Sequence, residues 1–129
     1  MTDRVLIIEG EPNLRRGLDS ALTEAGFTVA RVRDYPEALP KLEEFKPGIA
    51  IVDEALPSGD GKFTCSQLRN AFDIPVILLG VGSGGEAWMR AVEAGADFYF
   101  EKPVNYREAV ARVKSILRRY KEGAGCSEN

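Results

Sequence analysis

Two acidic residues and one lysine follow apolar segments of the chain, and these are residue types that could do chemistry together. Glu9 follows Val5-Leu6-Ile7-Ile8, Asp53 follows Ile49-Ala50-Ile51-Val52, and Lys102 comes soon after Phe98-Tyr99-Phe100. Short apolar runs bounded by turn-forming residues are typical of buried strands. If the three runs are parallel strands of one sheet, the charged groups lie at its carboxyl edge, where open α/β sheets bind ligands. An aspartate that simply begins a loop is the ordinary alternative for Asp53, and the companion charges favour a functional site.

The elements that must position these groups are strands and amphipathic helices that alternate along the chain. The predicted strands are Arg4–Ile8, Thr28–Arg31, Ile49–Asp53, Pro75–Leu79 and Asp97–Phe100, and the predicted helices are Pro12–Ala25, Pro36–Phe45, Lys62–Ala71, Gly85–Ala94 and Asn105–Tyr120. Short central strands separated by helices require a parallel sheet covered on both faces, an α/β fold. Right-handed crossovers favour the flavodoxin-like (βα)5 sandwich with strand order 2-1-3-4-5. In that order Glu9 and Asp53 face each other on neighbouring strands.

The composition indicates one domain without a general affinity for nucleic acid. The chain has 129 residues, of which 44% are hydrophobic, and this fits one domain and hardly two. We assign residues 1–121 to the domain and residues 122–129 to a flexible tail or the start of a linker to an output domain. The net charge of −3 creates no basic field. No apolar run approaches the ~18 residues that would span a membrane.

The N-terminus and the cysteines predict a cytoplasmic location. Met1-Thr2-Asp3-Arg4 leads directly into a strand, without a signal-peptide pattern. Cys65 falls in a predicted helix and Cys126 in the tail. Two unclustered thiols indicate a reducing compartment and neither a disulfide framework nor a zinc site.

The chain contains no histidine. Its absence removes Ser-His-Asp and Cys-His catalytic machinery and the usual histidine-based transition-metal sites. Chemistry here must rest on carboxylates, lysine, hydroxyls and backbone amides.

Four stretches, taken together and in order, carry a family resemblance. They are Val5–Pro12, Ile51–Gly61, Pro75–Leu79 and Ala94–Pro103. Each is weak alone, and their combination at these spacings is highly specific. The chain resembles a response-regulator receiver domain, the phosphoryl-accepting module of two-component signalling, from about Arg4 to Tyr120.

The resemblance implies roles for individual residues. Asp53 would accept a phosphoryl group from a sensor histidine kinase or a phosphotransfer protein, and Lys102 would contact a phosphoryl oxygen. Glu9, Asp53 and the backbone carbonyl of Ala55 would hold Mg²⁺. Tyr99 matches the aromatic switch position of the family. The implied catalytic activity is at most self-phosphorylation and autodephosphorylation on Asp53, and not that of a conventional enzyme.

Two positions depart from the family pattern and predict an atypical receiver. Gly10 stands where the family has the acid that usually touches Mg²⁺, and Gly80 replaces the usual Thr or Ser whose hydroxyl couples the phosphoryl group to the aromatic switch. A unit-charge pair about 4 Å apart is worth roughly 4 kcal/mol at an effective dielectric constant of 20, before desolvation. A third of that would weaken Mg²⁺ binding about tenfold. Mg²⁺ is therefore expected to bind weakly or not at all.

Two alternative functions follow from these departures and from a glycine-rich loop. The first is a phosphorylation-independent pseudo-receiver that acts as an interaction or dimerisation module. The second is a small nucleotide-binding domain, because Gly80–Gly85 satisfies the pattern G-x-G-x-x-G. The loop follows the fourth strand rather than the first, so we prefer glycines that loosen the start of a helix. Nested amides there could still hold an anion.

Trp88 is a candidate interface residue. Helical spacing predicts Met89 and Val92 towards the core, which turns Trp88 partly outward beside Ala87 and Ala91. In the family, the fourth helix, fifth strand and fifth helix form the surface for partners and homodimers. A tryptophan lying flat over its own helix is the alternative.

The basic residues along the fifth helix are best explained as a solvated face. They are Arg112, Lys114, Arg118, Arg119 and Lys121. We therefore predict no direct contact of this domain with nucleic acid and no membrane contact. A DNA-binding output domain could follow in a longer parent chain.

Overall fold

The computed structural model describes the backbone of residues 3–127 and the side chains of residues 3–120. Its main strands are β1 (Arg4–Ile8), β2 (Thr28–Val32), β3 (Ile49–Asp53), β4 (Val76–Gly80) and β5 (Phe98–Glu101), and its helices are α1 (Pro12–Glu24), α2 (Tyr35–Glu44), α3 (Gly61–Phe72), α4 (Gly84–Ala94) and α5 (Tyr106–Ser127). A two-residue antiparallel ladder pairs Ala55–Leu56 with Gly59–Asp60 between β3 and α3. Every predicted element is present.

The five main strands form one parallel sheet in the order β2-β1-β3-β4-β5. This order confirms the predicted flavodoxin-like topology. Ile8 pairs with Val52, and Asp53 pairs with Leu79. Glu9 and Asp53 therefore end neighbouring strands at the carboxyl edge, at the point where the strand order reverses.

The core lies on both faces of the sheet, as expected for parallel strands buried on both sides. On one face Leu42 of α2, Leu68 of α3 and Ala91 of α4 pack against alternate residues of the strands. On the other face Leu18 of α1 and Ile116 of α5 pack against the remaining alternate residues. Each fully buried Leu or Ile contributes about 1.5–3 kcal/mol relative to an exposed one. The sheet is therefore a rigid support for the groups at its edge.

The buried face of α4 differs from the prediction. Ala87, Ala91 and Ala94 face the sheet, whereas Met89 and Val92 are 54% and 63% exposed. The prediction that Met89 and Val92 point to the core was wrong. It assumed that the more hydrophobic side chains of the helix would be buried in preference to alanine. Small side chains at this helical spacing fill the contact between α4 and the sheet.

The ends of the elements agree with the prediction to within one residue except at the end of α5. This helix extends to Ser127 instead of ending at Tyr120. No proline follows Tyr120, and the glycines at 123 and 125 lower helix propensity without preventing a helix. Glu128 and Asn129 lie outside the described residues, and the assignment of residues 122–129 to a tail or linker stays a prediction.

Within the part of the chain that is described, no helix has both the length and the apolar character needed to cross a membrane.

Candidate functional site

Asp53 is the last residue of β3 and lies in the middle of the sheet edge with a side chain that is almost fully buried. Both of its carboxylate oxygens are engaged. Oδ1 accepts a hydrogen bond of 2.8 Å from the backbone N–H of Ala55. Oδ2 accepts one of 2.5 Å from Nζ of Lys102. The chain thus holds a buried carboxylate in a fixed orientation at the end of a central strand.

Lys102 supplies the positive charge of the site. It follows β5, and its backbone N–H donates to the carbonyl of Gly80 over 2.8 Å, which extends the pairing with β4. The Lys102–Pro103 peptide bond is cis. The lysine side chain is 26% exposed, and the carboxylate that it meets is only 2% exposed. The structure therefore brings together two of the residues that the sequence predicted as partners.

Glu9 brings a second buried carboxyl group to the site. Its Oε2 accepts a hydrogen bond of 3.1 Å from the backbone N–H of Glu11. Its Oε1 is buried and has no hydrogen-bond partner among the described residues. Burial and, to a lesser degree, the nearby Asp53 carboxylate raise the pKa of Glu9 to about 8. At neutral pH the Glu9 carboxyl group therefore keeps its proton.

The unpartnered oxygen of Glu9 shows that the site suits a cation or a proton. Leaving a buried polar atom unpaired costs roughly 1–3 kcal/mol, which a bound ligand would recover. Mg²⁺ takes one or two carboxylates and keeps several waters, which the Glu9 and Asp53 carboxyl groups could supply together. The Ala55 carbonyl stays a predicted third ligand. Among the side chains that the structure describes, no third acid, cysteine or histidine joins them.

Gly10 leaves no carboxylate at the position where the family has one, and its surroundings are tight. A Cβ atom at residue 10 would lie 3.0 Å from Cδ and 3.3 Å from Cγ of Pro57. A larger residue would fit only if the proline ring moved by a few tenths of an ångström. Pro57, in the loop that follows Asp53, thus packs closely against the position where the family has an acidic side chain.

The space above Gly80 is filled by a neighbouring side chain. A Cβ atom at residue 80 would lie 2.1 Å from Oε1 of Glu54 and 2.9 Å from the hydroxyl oxygen of Tyr99. Tyr99 is buried, with 4% of its surface exposed, and donates a hydrogen bond of 2.8 Å to the carbonyl of Gly82. The predicted switch tyrosine therefore lies inward, next to the position from which the family hydroxyl is missing.

Glu54 and Arg90 are site residues that sequence reasoning missed. Arg90 Nε donates to Glu54 Oε2 over 2.8 Å, and Arg90 Nη2 donates to Glu54 Oε1 over 3.3 Å. The only signal in the sequence was an acid directly after Asp53. Nothing in helical periodicity could show that an arginine of α4 would reach it.

The glycine-rich loop is engaged in contacts within the protein. Its Val81 carbonyl accepts from Arg90 over 3.2 Å, and its Gly82 carbonyl accepts from Tyr99. Gly82 and Gly84 have φ angles of 101° and 82°, a backbone conformation that glycine adopts without strain. The loop therefore closes over the end of β4, and these contacts do not favour dinucleotide binding.

Trp88 lies where α4 meets β5. It is 43% exposed, and its ring packs edge-on against Phe98 and Tyr99 with centroid distances of 5.3 Å and 5.9 Å. The guanidinium of Arg112 in α5 lies 3.9 Å from the centre of the Phe98 ring. Trp88 is thus partly exposed and packs with its other side against an aromatic cluster, rather than lying flat on its own helix.

Comparison with known proteins agrees with the fold. Residues 5–114 match the family described as response regulator receiver domain. The transcriptional activator protein IrlR of Burkholderia pseudomallei is 40% identical over 116 residues, which are 90% of this chain and 51% of IrlR. The transcriptional regulatory protein BaeR of Escherichia coli O6:H1 is 36% identical over 120 residues, which are 93% of this chain and 50% of BaeR.

A solved two-component response regulator from Clostridium difficile superimposes with a TM-score of 0.84 at 29% identity and covers 93% of this chain and 98% of that one. The chain spans about half the length of the curated relatives that it matches. The match over residues 5–114 and the sheet order lead to one conclusion. This chain belongs to the response regulator receiver domain family of two-component signalling.

Proposed function

We propose that this domain accepts a phosphoryl group on Asp53 from the histidine of a sensor kinase or a phosphotransfer protein. The observation that carries the proposal is the buried Asp53 carboxylate at the centre of the sheet edge, oriented by Ala55 and paired with Lys102. The family match favours this function over a phosphorylation-independent interaction module.

The chemistry needs a nucleophilic carboxylate and a nearby cation. One Asp53 oxygen bonds to phosphorus as the donor's phosphorus–nitrogen bond breaks, and the electron pair of that bond leaves with the imidazole. Lys102 already contacts Asp53 and becomes the partner of a phosphoryl oxygen. Receiver domains bind Mg²⁺ at this position, and the ion would neutralise phosphoryl charge here if Glu9, Asp53 and the Ala55 carbonyl held it. With Gly10 in place of an acid, we propose that Mg²⁺ binds weakly.

The proposal extends to partners through the surface of α4, β5 and α5. Trp88, Met89 and Val92 expose apolar area on this surface, and exposed aromatic residues are favoured interface anchors. We propose that it forms a homodimer or binds a partner. IrlR and BaeR are named as transcriptional regulators, so a DNA-binding output domain is proposed for a longer parent chain. The cytoplasmic location also stays a proposal, based on two unclustered thiols.

The test is the intact mass of the protein after incubation with a small-molecule phosphodonor, with and without Mg²⁺. The expected result is a Mg²⁺-dependent gain of one phosphoryl group that Asp53→Asn abolishes. Asp60→Asn, which removes an exposed acid from the same loop, is the matched control and should label normally. Labelling that persists in Asp53→Asn, or no labelling of the parent protein under any condition, would reject the assignment of Asp53.

A further inference from the structure

The carboxylate of Glu54 occupies the place where the family has a hydroxyl. Its Oε1 lies 2.1 Å from the position that a Cβ of residue 80 would take, so a side chain at position 80 would require the end of the Glu54 side chain to move. The backbone of Glu54 is fixed, because its N–H donates to the carbonyl of Leu79 over 2.8 Å. The residue directly after Asp53 is therefore packed over the end of β4.

The mostly buried Glu54 carboxylate forms an ion pair with Arg90. The Glu54 side chain is 17% exposed and the Arg90 side chain 33% exposed. Two nitrogens of the guanidinium contact the two carboxylate oxygens, the arrangement that gives arginine pairs their fixed geometry. Arg90 also binds the Val81 carbonyl. The Arg90 side chain of α4 thus contacts both Glu54 and the loop after β4.

Tyr99 packs against this pair from the other side. Its ring and hydroxyl lie 2.9 Å from the same Cβ position above Gly80, next to Glu54. Burial and, secondarily, the Glu54 carboxylate raise the pKa of Tyr99, which keeps the hydroxyl a donor to Gly82. An outward turn of the tyrosine would break that hydrogen bond and leave space beside Glu54 empty.

We propose that Glu54 and Arg90 are a positioning pair that takes the place of the missing hydroxyl and holds Tyr99 in its buried position. Asp53 is followed directly by Glu54, and Arg90 lies two residues from Trp88 on α4. The pair therefore joins the acceptor strand to the α4–β5 surface by side chains alone. This inference goes beyond phosphoryl acceptance, since it concerns the protein without a phosphoryl group.

The experiment uses fluorine NMR of the whole chain labelled with 3-fluorotyrosine, without any phosphodonor. The chain has four tyrosines, and the Tyr99 resonance is assigned by its loss in Tyr99→Phe. Glu54→Gln and Arg90→Met each break the pair while keeping most of the side-chain volume. Glu37→Gln is the matched control, because it removes the exposed ion pair between Arg33 and Glu37. Acrylamide quenching of Trp88, the single tryptophan, gives a second readout next to Tyr99.

The expected result is the loss of a single sharp Tyr99 resonance in both variants, by broadening or splitting. Minor conformers of two-state proteins are typically about 0.1–10% populated, and removing the pair should raise that population. Trp88 quenching should rise in parallel, and the double variant should add little to either single variant. Arg90→Lys, which keeps the charge, should fall between Arg90→Met and the parent.

An unchanged Tyr99 resonance in either folded variant, or an equal change in Glu37→Gln, would overturn the proposal. Far-ultraviolet circular dichroism establishes that each variant folds. If Glu54→Gln does not fold, Arg90→Met decides the matter, because a third of the Arg90 side chain is at the surface. None of these outcomes depends on whether Asp53 accepts a phosphoryl group.

Discussion

Glu9 and Asp53 place two carboxyl groups in a site where Lys102 is the cation in contact with Asp53. Two adjacent buried acids seldom ionise together, and here burial keeps the proton on Glu9. Any ligand with positive charge must therefore compete with a proton at the same oxygen atoms. Metal binding at this site should therefore depend on pH.

The stability of the metal-free protein should decrease as pH rises from 4.5 towards 8. The folded state raises the pKa of Glu9 from 4.5 to about 8, so between these values it binds more protons than the unfolded chain does. Stability then falls with rising pH, by about 1–3 kcal/mol from this group. Urea unfolding at pH 5.5 and pH 8 measures the change.

Glu9→Gln should remove most of this pH dependence, and Glu43→Gln, an exposed acid on α2, should not. Mg²⁺ should stabilise the parent protein more at pH 8 than at pH 5.5. The same slope in Glu9→Gln as in the parent would show that Glu9 does not carry the effect.

Gly10→Asp should strengthen Mg²⁺ binding about tenfold, because it returns a carboxylate to the cation site. The new Cβ must push Pro57 aside by a few tenths of an ångström, which lowers stability slightly. Titration calorimetry measures the affinity. Gly10→Asn has nearly the same shape without the charge, and a gain equal to that of Gly10→Asp would contradict the electrostatic explanation.

At the scale of elements, α3 begins directly against the backbone of Asp53. Gly61 is the first residue of the helix, and its N–H donates to the carbonyl of Glu54 over 3.0 Å. A Cβ at position 61 would lie 1.9 Å from the carbonyl oxygen of Asp53. The start of the helix and the end of β3 therefore fix each other.

Gly61→Ala should destabilise the protein by about 1–3 kcal/mol, since backbone atoms and not a flexible side chain must move. It should also slow phosphoryl labelling, because Asp53 would shift with its backbone. Thermal unfolding and a labelling time course measure the two effects. Gly85→Ala, where a Cβ meets no atom within 4 Å, is the control and should be neutral or stabilising.

Most of the strands and helices were predictable from the sequence, because short apolar runs indicate buried strands and amphipathic segments indicate helices. The meeting of Glu9, Asp53 and Lys102 was predictable because strand ends share an edge. The Glu54–Arg90 pair was not, since it joins residues 36 apart through a long flexible side chain. The buried face of α4 was misassigned because the helix packs against the sheet through three alanines, and the larger Met89 and Val92 lie on its exposed face.

At the scale of the whole molecule, the surface of α4, β5 and α5 combines exposed apolar side chains with the buried Tyr99 beneath it. Trp88 belongs to both, since its ring contacts Tyr99 and almost half of it faces outward. A partner bound to this surface would therefore sense the position of Tyr99 through direct contact.

Trp88→Ala should weaken self-association, because removing an aromatic anchor at the centre of an interface typically costs about 2 kcal/mol or more. Sedimentation velocity over a concentration series measures the mass distribution. Leu39→Ala on α2 removes a side chain of similar exposure, 44%, from another surface and should leave the distribution unchanged. Equal distributions for Trp88→Ala and the parent would argue against this surface as the dimer contact.

The strand order has a consequence for the nascent chain. Glu9 directly follows β1 and Asp53 ends β3, and both strands leave the ribosome well before β5 and the lysine that follows it. Because the ribosome synthesises the chain from its N-terminus, β1, β2 and β3 are available to associate before Lys102 has been added. A chain that has been made only as far as β3 contains both acids but not Lys102. Until translation delivers β5, the two acids lack the lysine that pairs with Asp53 in the finished fold.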